Sequence, residues 1–309
     1  MLTGYKSGFG PAIAPAIISR VPVFAPSLRV VKETKWAAET SWGRVEVEGR
    51  LGSIHRRISD AMFAYALDNE VLHGGAMALL TDPYLIMRGI GTTSNDHKWL
   101  LQRMEEMRTA KIVITAGGLI HVGGIISEYK EAKRRAKMPG GELQWSNPRT
   151  CTDRPLLAVI FSAAWMRMYD ITLVVSYRNL LPKLHAIKSG PAYAIALFCI
   201  THRTSYGQSI VKLLEIVRAI RPDMNDRSKR KARAAVEAEK KVLAEIGITL
   251  TDGFVLYKQH SQVRFHGFTS KAEAEPICPA PELICPAPEL ICPAPELICP
   301  APELICPDD

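Results

Sequence analysis

Asp226-Arg227-Ser228-Lys229-Arg230-Lys231-Ala232-Arg233-Ala234-Ala235-Val236-Glu237, followed after Gly247 by Ile248-Thr249-Leu250-Thr251-Asp252-Gly253-Phe254-Val255-Leu256-Tyr257, decides how this chain is read. From about Asp226 to Ile246 the apolar positions Ala232, Ala235, Val236, Val242, Leu243 and Ile246 recur at helical spacing, which predicts one long helix packed by that stripe. Gly247 suits the left-handed residue that ends a helix. Two β-rich runs around Asp252-Gly253 predict a tight hairpin. Upstream, Ser209 to Ile220 carries the stripe Ile210, Leu213, Leu214 and Val217, and Arg221-Pro222-Asp223 interrupts it. Ser189 to His202 is a further apolar helix facing inward with Tyr193, Ala196, Leu197 and Ile200, and Ile171 to Val175 is a strand candidate before it. Three helices and then a hairpin is the order of a winged helix.

The same order occurs earlier. Arg44-Val45-Glu46-Val47-Glu48 alternates like a strand, and Leu51 to Leu67 places Ile54, Ile58, Met62, Phe63 and Ala66 on one stripe. Pro83 to Ile90 is a short helix with Asp82 as N-cap and Pro83 at its first position. Gly91 ends it, and a third helix runs from about Asn95 to Arg108 with Leu100, Leu101, Met104 and Met107 inside. Lys111 to Thr115, Gly117-Gly118 and Leu119 to Val122 form the hairpin. The fold class expected is α+β, with two tandem winged-helix domains followed by an extended Pro-rich repeat tail. The boundaries are an N-terminal arm at 1–35, a first domain at 36–153, a second at 154–270 and the tail at 271–309.

The net charge of +8 hides an asymmetry. Residues 271–309 carry one base and eight acids, a net −7, whereas residues 1–270 carry 38 bases and 23 acids, a net +15. A body this basic is expected to associate with polyanions, nucleic acid first among them, the plainer alternative being a merely soluble basic protein. In the tail, Ile-Cys-Pro-Ala-Pro-Glu-Leu occurs four times from Ile277, and Ile305-Cys306-Pro307 begins a fifth copy. Two prolines in each seven residues exclude a continuous helix and favour an extended, disordered chain. Cysteines every seven residues lack the close pairing of zinc sites, so no metal or other cofactor is expected. Seven codons make 21 base pairs, about two turns of duplex. The repeat is therefore read either as the trace of tandem binding sites in the gene's 3′ end or as an expansion of a tolerant linker. Removing it is expected to leave DNA affinity intact or to raise it.

Helix-turn-helix proteins read base edges with the first turns of their third helix. Arg227, Lys229, Arg230, Lys231, Arg233, Lys240 and Lys241 supply that chemistry here, and Lys258, Gln259 and Arg264 of the wing add backbone or minor-groove contacts. A solvated helix face is the usual meaning of such a run; its place in the helix order favours DNA. In the first unit Lys98, Gln102 and Arg103 are candidates for a weaker contact, because Glu105 and Glu106 follow. The basic run Lys130, Lys133, Arg134, Arg135 and Lys137 is read first as a solvated loop or short helix, and second as a phosphate contact.

Tyr84-Leu85-Ile86-Met87-Arg88-Gly89-Ile90-Gly91 with Lys98-Trp99-Leu100-Leu101-Gln102-Arg103-Met104, and Gly190-Pro191-Ala192-Tyr193-Ala194-Ile195-Ala196-Leu197-Phe198 with His202, carry a resemblance. Over about residues 40–265 the chain resembles plasmid replication initiators of the iteron-binding TrfA/RepA type. The resemblance implies a protein that binds tandem repeats at an origin, promotes duplex opening, and recruits a host initiator and the replicative helicase. It also implies a homodimer in equilibrium with monomer, with the first winged helix used for dimerisation.

Catalytic patterns are missing from the sequence. There is no P-loop, no G-x-S-x-G elbow and no C-x-x-C, and His185, His202, His260 and His266 are scattered without a His-x-His pair. Tyr206 near His202 is read as an exposed tyrosine and a helix-end histidine, and Cys151 and Cys199 as isolated thiols. The expectation is a DNA-binding initiator that is not an enzyme. A winged-helix transcriptional autorepressor is the alternative, and a rolling-circle or mobilisation nicking enzyme the third reading. No run of about 18 apolar residues occurs, and prolines break the apolar N-terminus, so no membrane span or signal peptide is expected and the chain is read as cytoplasmic.

Overall fold

The computed structural model describes residues 13–29, 31–92, 96–132, 137–138, 141–142, 156–203 and 205–266. The heptapeptide repeat, Cys151, Lys133, Arg134 and Arg135 lie outside them, as do the side chains of Lys137 and Tyr206. The chain is α+β. It begins with β1 (Ile13–Pro15) and α1 (Ile17–Arg20), then the hairpin β2 (Lys35–Thr40) and β3 (Gly43–Glu48). Next come α2 (Ser53–Ala64), β4 (Asp68–Val71), β5 (Met77–Thr81), α3 (Pro83–Gly89) and α4 (His97–Thr109). The hairpin β6 (Lys111–Ala116) and β7 (Leu119–Gly123) precedes β8 (Ile126–Ala132), the short pair β9 (Lys137–Met138) and β10 (Gly141–Glu142), and β11 (Leu156–Phe161).

The second half holds α5 (Ala163–Ile171), β12 (Val174–Ser176), α6 (Leu181–Ala186), α7 (Gly190–Ile200) and β13 (Tyr206–Ser209). It continues with α8 (Ile210–Ile216), α9 (Asp226–Glu237), α10 (Lys240–Ala244), the hairpin β14 (Ile248–Thr251) and β15 (Phe254–Tyr257), and β16 (Arg264–His266). The strands join in the orders β2-β3-β6-β7, β4-β5-β11-β8, β1-β12-β16 and β13-β15-β14.

Local signals act where they were expected. Asp82 Oδ1 accepts from Tyr84 N at 2.8 Å, and Pro83 opens α3. The turn residues Asp252 and Gly253 have φ of 47° and 82°, the left-handed pair that a two-residue hairpin requires.

Four expectations are corrected. The strand expected over Ile171 to Val175 is shorter and starts later, at Val174: Ser162 Oγ accepts from Trp165 N at 3.1 Å and starts a helix that runs through Ile171. The helix from Ser209 stops at Ile216, well before Pro222. Arg218 there takes φ 60°, and its guanidinium makes a two-pronged ion pair with Glu33, with the Nη2–Oε1 arm at 2.7 Å. The long helix to Ile246 is two helices, because Glu239 leaves helical geometry and its Oε1 accepts from the amides of Lys188 and Ser189 at 2.8 and 3.0 Å. Those amides belong to the start of α7, whose orphan donors attract a carboxylate. Finally, α2 is not amphipathic in place: every residue but Ile54 is buried, including His55, Arg56, Arg57 and Asp60.

The domain boundaries differ for the same reason, that packing partners lie far away in sequence. β11, placed after the boundary at 153/154, sits between β5 and β8. The arm expected at 1–35 contributes β1, which pairs with β12, and buries Val21, Val23 and Phe24. A Cβ built on Gly190 would stand 2.4 Å from the carbonyl oxygen of Pro26, so only glycine lets the arm lie this close to α7. The described residues all fall in one compact unit.

The halves are joined through a buried polar cluster on α2. Arg56 Nε donates to both oxygens of Asp60 at 2.9 and 3.1 Å, and Arg56 Nη2 donates to the Tyr177 hydroxyl at 2.7 Å. That hydroxyl donates to Asp60 Oδ2 at 3.0 Å. Burial works against the Arg56 charge, and the Asp60 carboxylate together with Tyr177 and Tyr193 more than offsets it, holding the guanidinium charged. Burial likewise lifts the Asp60 carboxyl, with Arg56 and Tyr177 opposing.

Candidate nucleic-acid interface

Asn225 starts α9 by accepting from Ser228 N at 2.9 Å, which sets the first turns of the helix at the surface. Val236 is its buried contact, while Ala232 packs half-buried against the core. The opposite side presents Arg227, Arg230, Lys231 and Arg233 to solvent, and Lys229 is half-buried. Arg233 has a second task. Its Nε donates to Glu237 Oε1 at 2.8 Å, and a Cβ on Gly253 would stand 3.3 Å from its Nη2, so the guanidinium lies against the hairpin turn. Helix and hairpin therefore share one edge, joined by a cation.

Lys258 and Gln259, just past β15, are exposed beside that hairpin. Lys240 and Lys241 are exposed too, but on α10, a separate helix, so they do not continue the row from Lys229 and Arg230. Arg264 is not part of the β14–β15 hairpin region: it lies in β16, paired with Ser176 of β12 in a different sheet. In the first half Lys98 and Gln102 are exposed on α4. Arg103 is not available as a contact, being 3% exposed. Its Nη1 pairs with Glu106 at 3.0 Å, and Glu106 also takes His55 Nε2 at 2.7 Å, so helical spacing alone assigned it to the wrong face.

Sequence reasoning missed the outer face of the β13-β15-β14 sheet. Phe254 and Leu256 are 53% and 47% exposed there, next to the turn that Arg233 covers. Alternation along β15 was the signal, since Val255 and Tyr257 take the buried face.

Two of the scattered histidines are core residues. Burial pushes His185 and His202 each down to about 4, so both are neutral near pH 7. The unfolded chain protonates them near their ordinary 6.5 and so binds more protons than the native state between pH 6.5 and 4. The stability they protect is complete above that window and is lost as pH falls through it. Each costs about 1.4 kcal/mol per pH unit inside it. Urea midpoints at pH 7.5 and pH 5 are expected to differ accordingly, and a flat midpoint would refute neutral burial.

These residues define an α+β protein with a cationic helix against a β-hairpin. No family model matches the sequence, and no curated protein does. Among solved structures, the selenomethionine derivative of domains 2 and 3 of RctB is similar at a TM-score of 0.48 and 9% identity, covering 80% of this chain and 98% of that one. A second structure of RctB domains 2-3 is similar at 0.46 and 10%, covering 79% and 97%. Among the described residues no helix is long and apolar enough to cross a membrane.

Proposed function

We propose that the chain is a sequence-specific DNA-binding replication initiator built from two winged-helix modules, of which the second makes the main contact. The observation that carries this reading is the exposed row Arg227, Arg230 and Lys231 on the first turns of α9, abutting the β14–β15 hairpin through Arg233. A helix whose N-terminal turns are cationic on the solvent side has the shape and charge to enter a major groove. Arg addresses guanine there, and the neighbouring Lys neutralise phosphates. The resemblance to iteron-binding plasmid initiators adds tandem origin repeats as the target, a dimer in equilibrium with monomer, and host initiator and helicase as partners. The protein acts in this reading by binding and assembly, without chemistry of its own.

Footprinting across the 3′ end of the gene and the flanking origin tests it. Protected sites about 21 base pairs apart, with permanganate-reactive thymines in an adjacent A·T-rich segment, are expected. Protection without melting would instead indicate an autorepressor. Nicked circles from supercoiled DNA and a divalent metal would indicate a nuclease.

A further inference from the structure

On the outer face of the β13-β15-β14 sheet, the central strand leaves Phe254 and Leu256 half-exposed. Phe254 stands opposite Thr251 of β14 and Ser209 of β13, and Leu256 opposite Thr249 and Gly207. A Cβ on Gly207 would stand 3.1 Å from Leu256 Cδ2, so Leu256 lies against the bare backbone there. Phe254 is the ring on this face, flanked on its row by two small hydroxyl residues. Its backbone is held from three sides. β13 and β14 pair with β15, Ile210 N at the start of α8 donates to the Gly253 carbonyl at 2.9 Å, and the Arg233 guanidinium lies against Gly253. A ring carried on a fixed backbone loses little of its contact energy to ordering.

The charge around this face favours a polyanion. No acidic residue occurs in β13, β14 or β15. At the neighbouring edge Asp252 belongs to the turn itself, and Glu237 is paired with Arg233. Arg230, Lys231 and Arg233 are exposed on α9, and Lys258 just past β15. A second exposed apolar pair, Ile120 and Val122 of β7, differs: Val122 shares its row with Glu46, and Glu48 lies on the same face. Phosphates are repelled from that sheet and admitted at this one.

Size separates a base step from a protein partner. Two half-exposed side chains offer on the order of 200 Å² of apolar surface. A stable protein interface takes about 800 Å² from each partner. A base step takes one wedge, and Phe and Leu are side chains that enter between stacked bases from the minor groove. The position fits as well. Arg233 follows Asp226 by seven positions, about 10 Å along the helix. With the first turns of α9 in a major groove about 12 Å wide, the hairpin turn reaches the groove's rim and faces the minor groove beyond it.

We propose that Phe254 inserts between two stacked base pairs of the duplex held by α9, from the adjoining minor groove, with Leu256 behind it against the opened step. The inference rests on the DNA reading of α9 and adds to it the residue that unstacks the duplex.

The probe is the tightest duplex that the full chain selects from a randomised library, with fluorescent 2-aminopurine placed in turn at each step beside the protected major groove. Wild type is expected to brighten the probe at one step. Phe254→Ser is expected to keep the major-groove protection, to abolish the brightening, and to bind about tenfold more weakly. Phe254→Leu, still a wedge, is expected to keep most of the brightening. Phe254 is half-exposed, so the unfolding midpoints of both variants should match wild type. A mismatch built into the opened step is already unstacked, so wild type should prefer it about tenfold and Phe254→Ser should not. No brightening by wild type, brightening that survives in Phe254→Ser, or an equal mismatch preference in both proteins would overturn the proposal and leave the DNA reading standing. Failure to select any duplex would overturn both. Self-association of wild type that Phe254→Ser abolishes would assign the face to a second copy and overturn the wedge.

Discussion

Asp60→Ala is expected to lower the free energy of unfolding by about 3–5 kcal/mol, the cost of leaving a buried charge without its partner. Asp60 and Arg56 are 3% and 2% exposed, and the two Nε–carboxylate bonds at 2.9 and 3.1 Å are shielded from solvent. Removing the carboxylate also strips the Tyr177 hydroxyl of its acceptor, leaving Arg56 to hold α2 to the segment after β12. Urea unfolding of the purified chain reads the effect directly, and a loss below about 1 kcal/mol would show that the pair is hydrated or relaxes freely. The double replacement Arg56→Met with Asp60→Leu is expected to recover most of the stability, since a well-packed apolar pair needs no desolvation. Both halves should unfold in one transition in every variant, because Arg56 and Arg57 of α2 bond Tyr177 and the His185 carbonyl of the second half and β1 pairs with β12.

Replacing Arg227, Arg230 and Lys231 together with Ala is expected to abolish specific DNA binding at physiological salt. Each side chain on a base edge is worth about 1–3 kcal/mol, and each phosphate left without its cation lowers the slope of log affinity against log salt by about 1. The three side chains are exposed, so the folded state should be unaffected, and circular dichroism and unfolding midpoints serve as the control. Arg233→Ala differs in kind: it removes the ion pair with Glu237 and the packing at Gly253, so the hairpin should loosen as affinity falls. Arg103→Ala should lower stability and leave the affinity of the folded protein unchanged, because Arg103 is committed to Glu106 inside the fold. Unchanged binding in the triple variant would remove α9 from the interface.

Several elements were legible because their causes are local. Asp82-Pro83 starts a helix by its own geometry, Asp252-Gly253 closes a hairpin by its own dihedral angles, and a dense cationic run beside a short apolar stripe leaves α9 on the surface. The misplacements share the opposite property. Helical periodicity could not tell that Glu106, the partner of Arg103 three residues on, is held inside the fold by His55, or that Arg56 and Arg57 are interior, since a charged residue looks solvent-facing until distant groups are brought to it. Arg264 followed the hairpin in sequence, yet its strand partner Ser176 lies 88 positions earlier.

Composition and short-range pattern therefore determined, unaided, the α+β class, the cationic helix with its hairpin, and the division of charge between body and tail. Capping, turn dihedrals and net charge depend on residues a few positions apart. Only the tertiary structure decided that α2 is a buried polar spine, that β11 completes a sheet of the first half, and that Glu239 breaks a helix to cap α7. Those choices depend on the cost of burying charges and amides unpaired, and their partners meet only once the chain has folded.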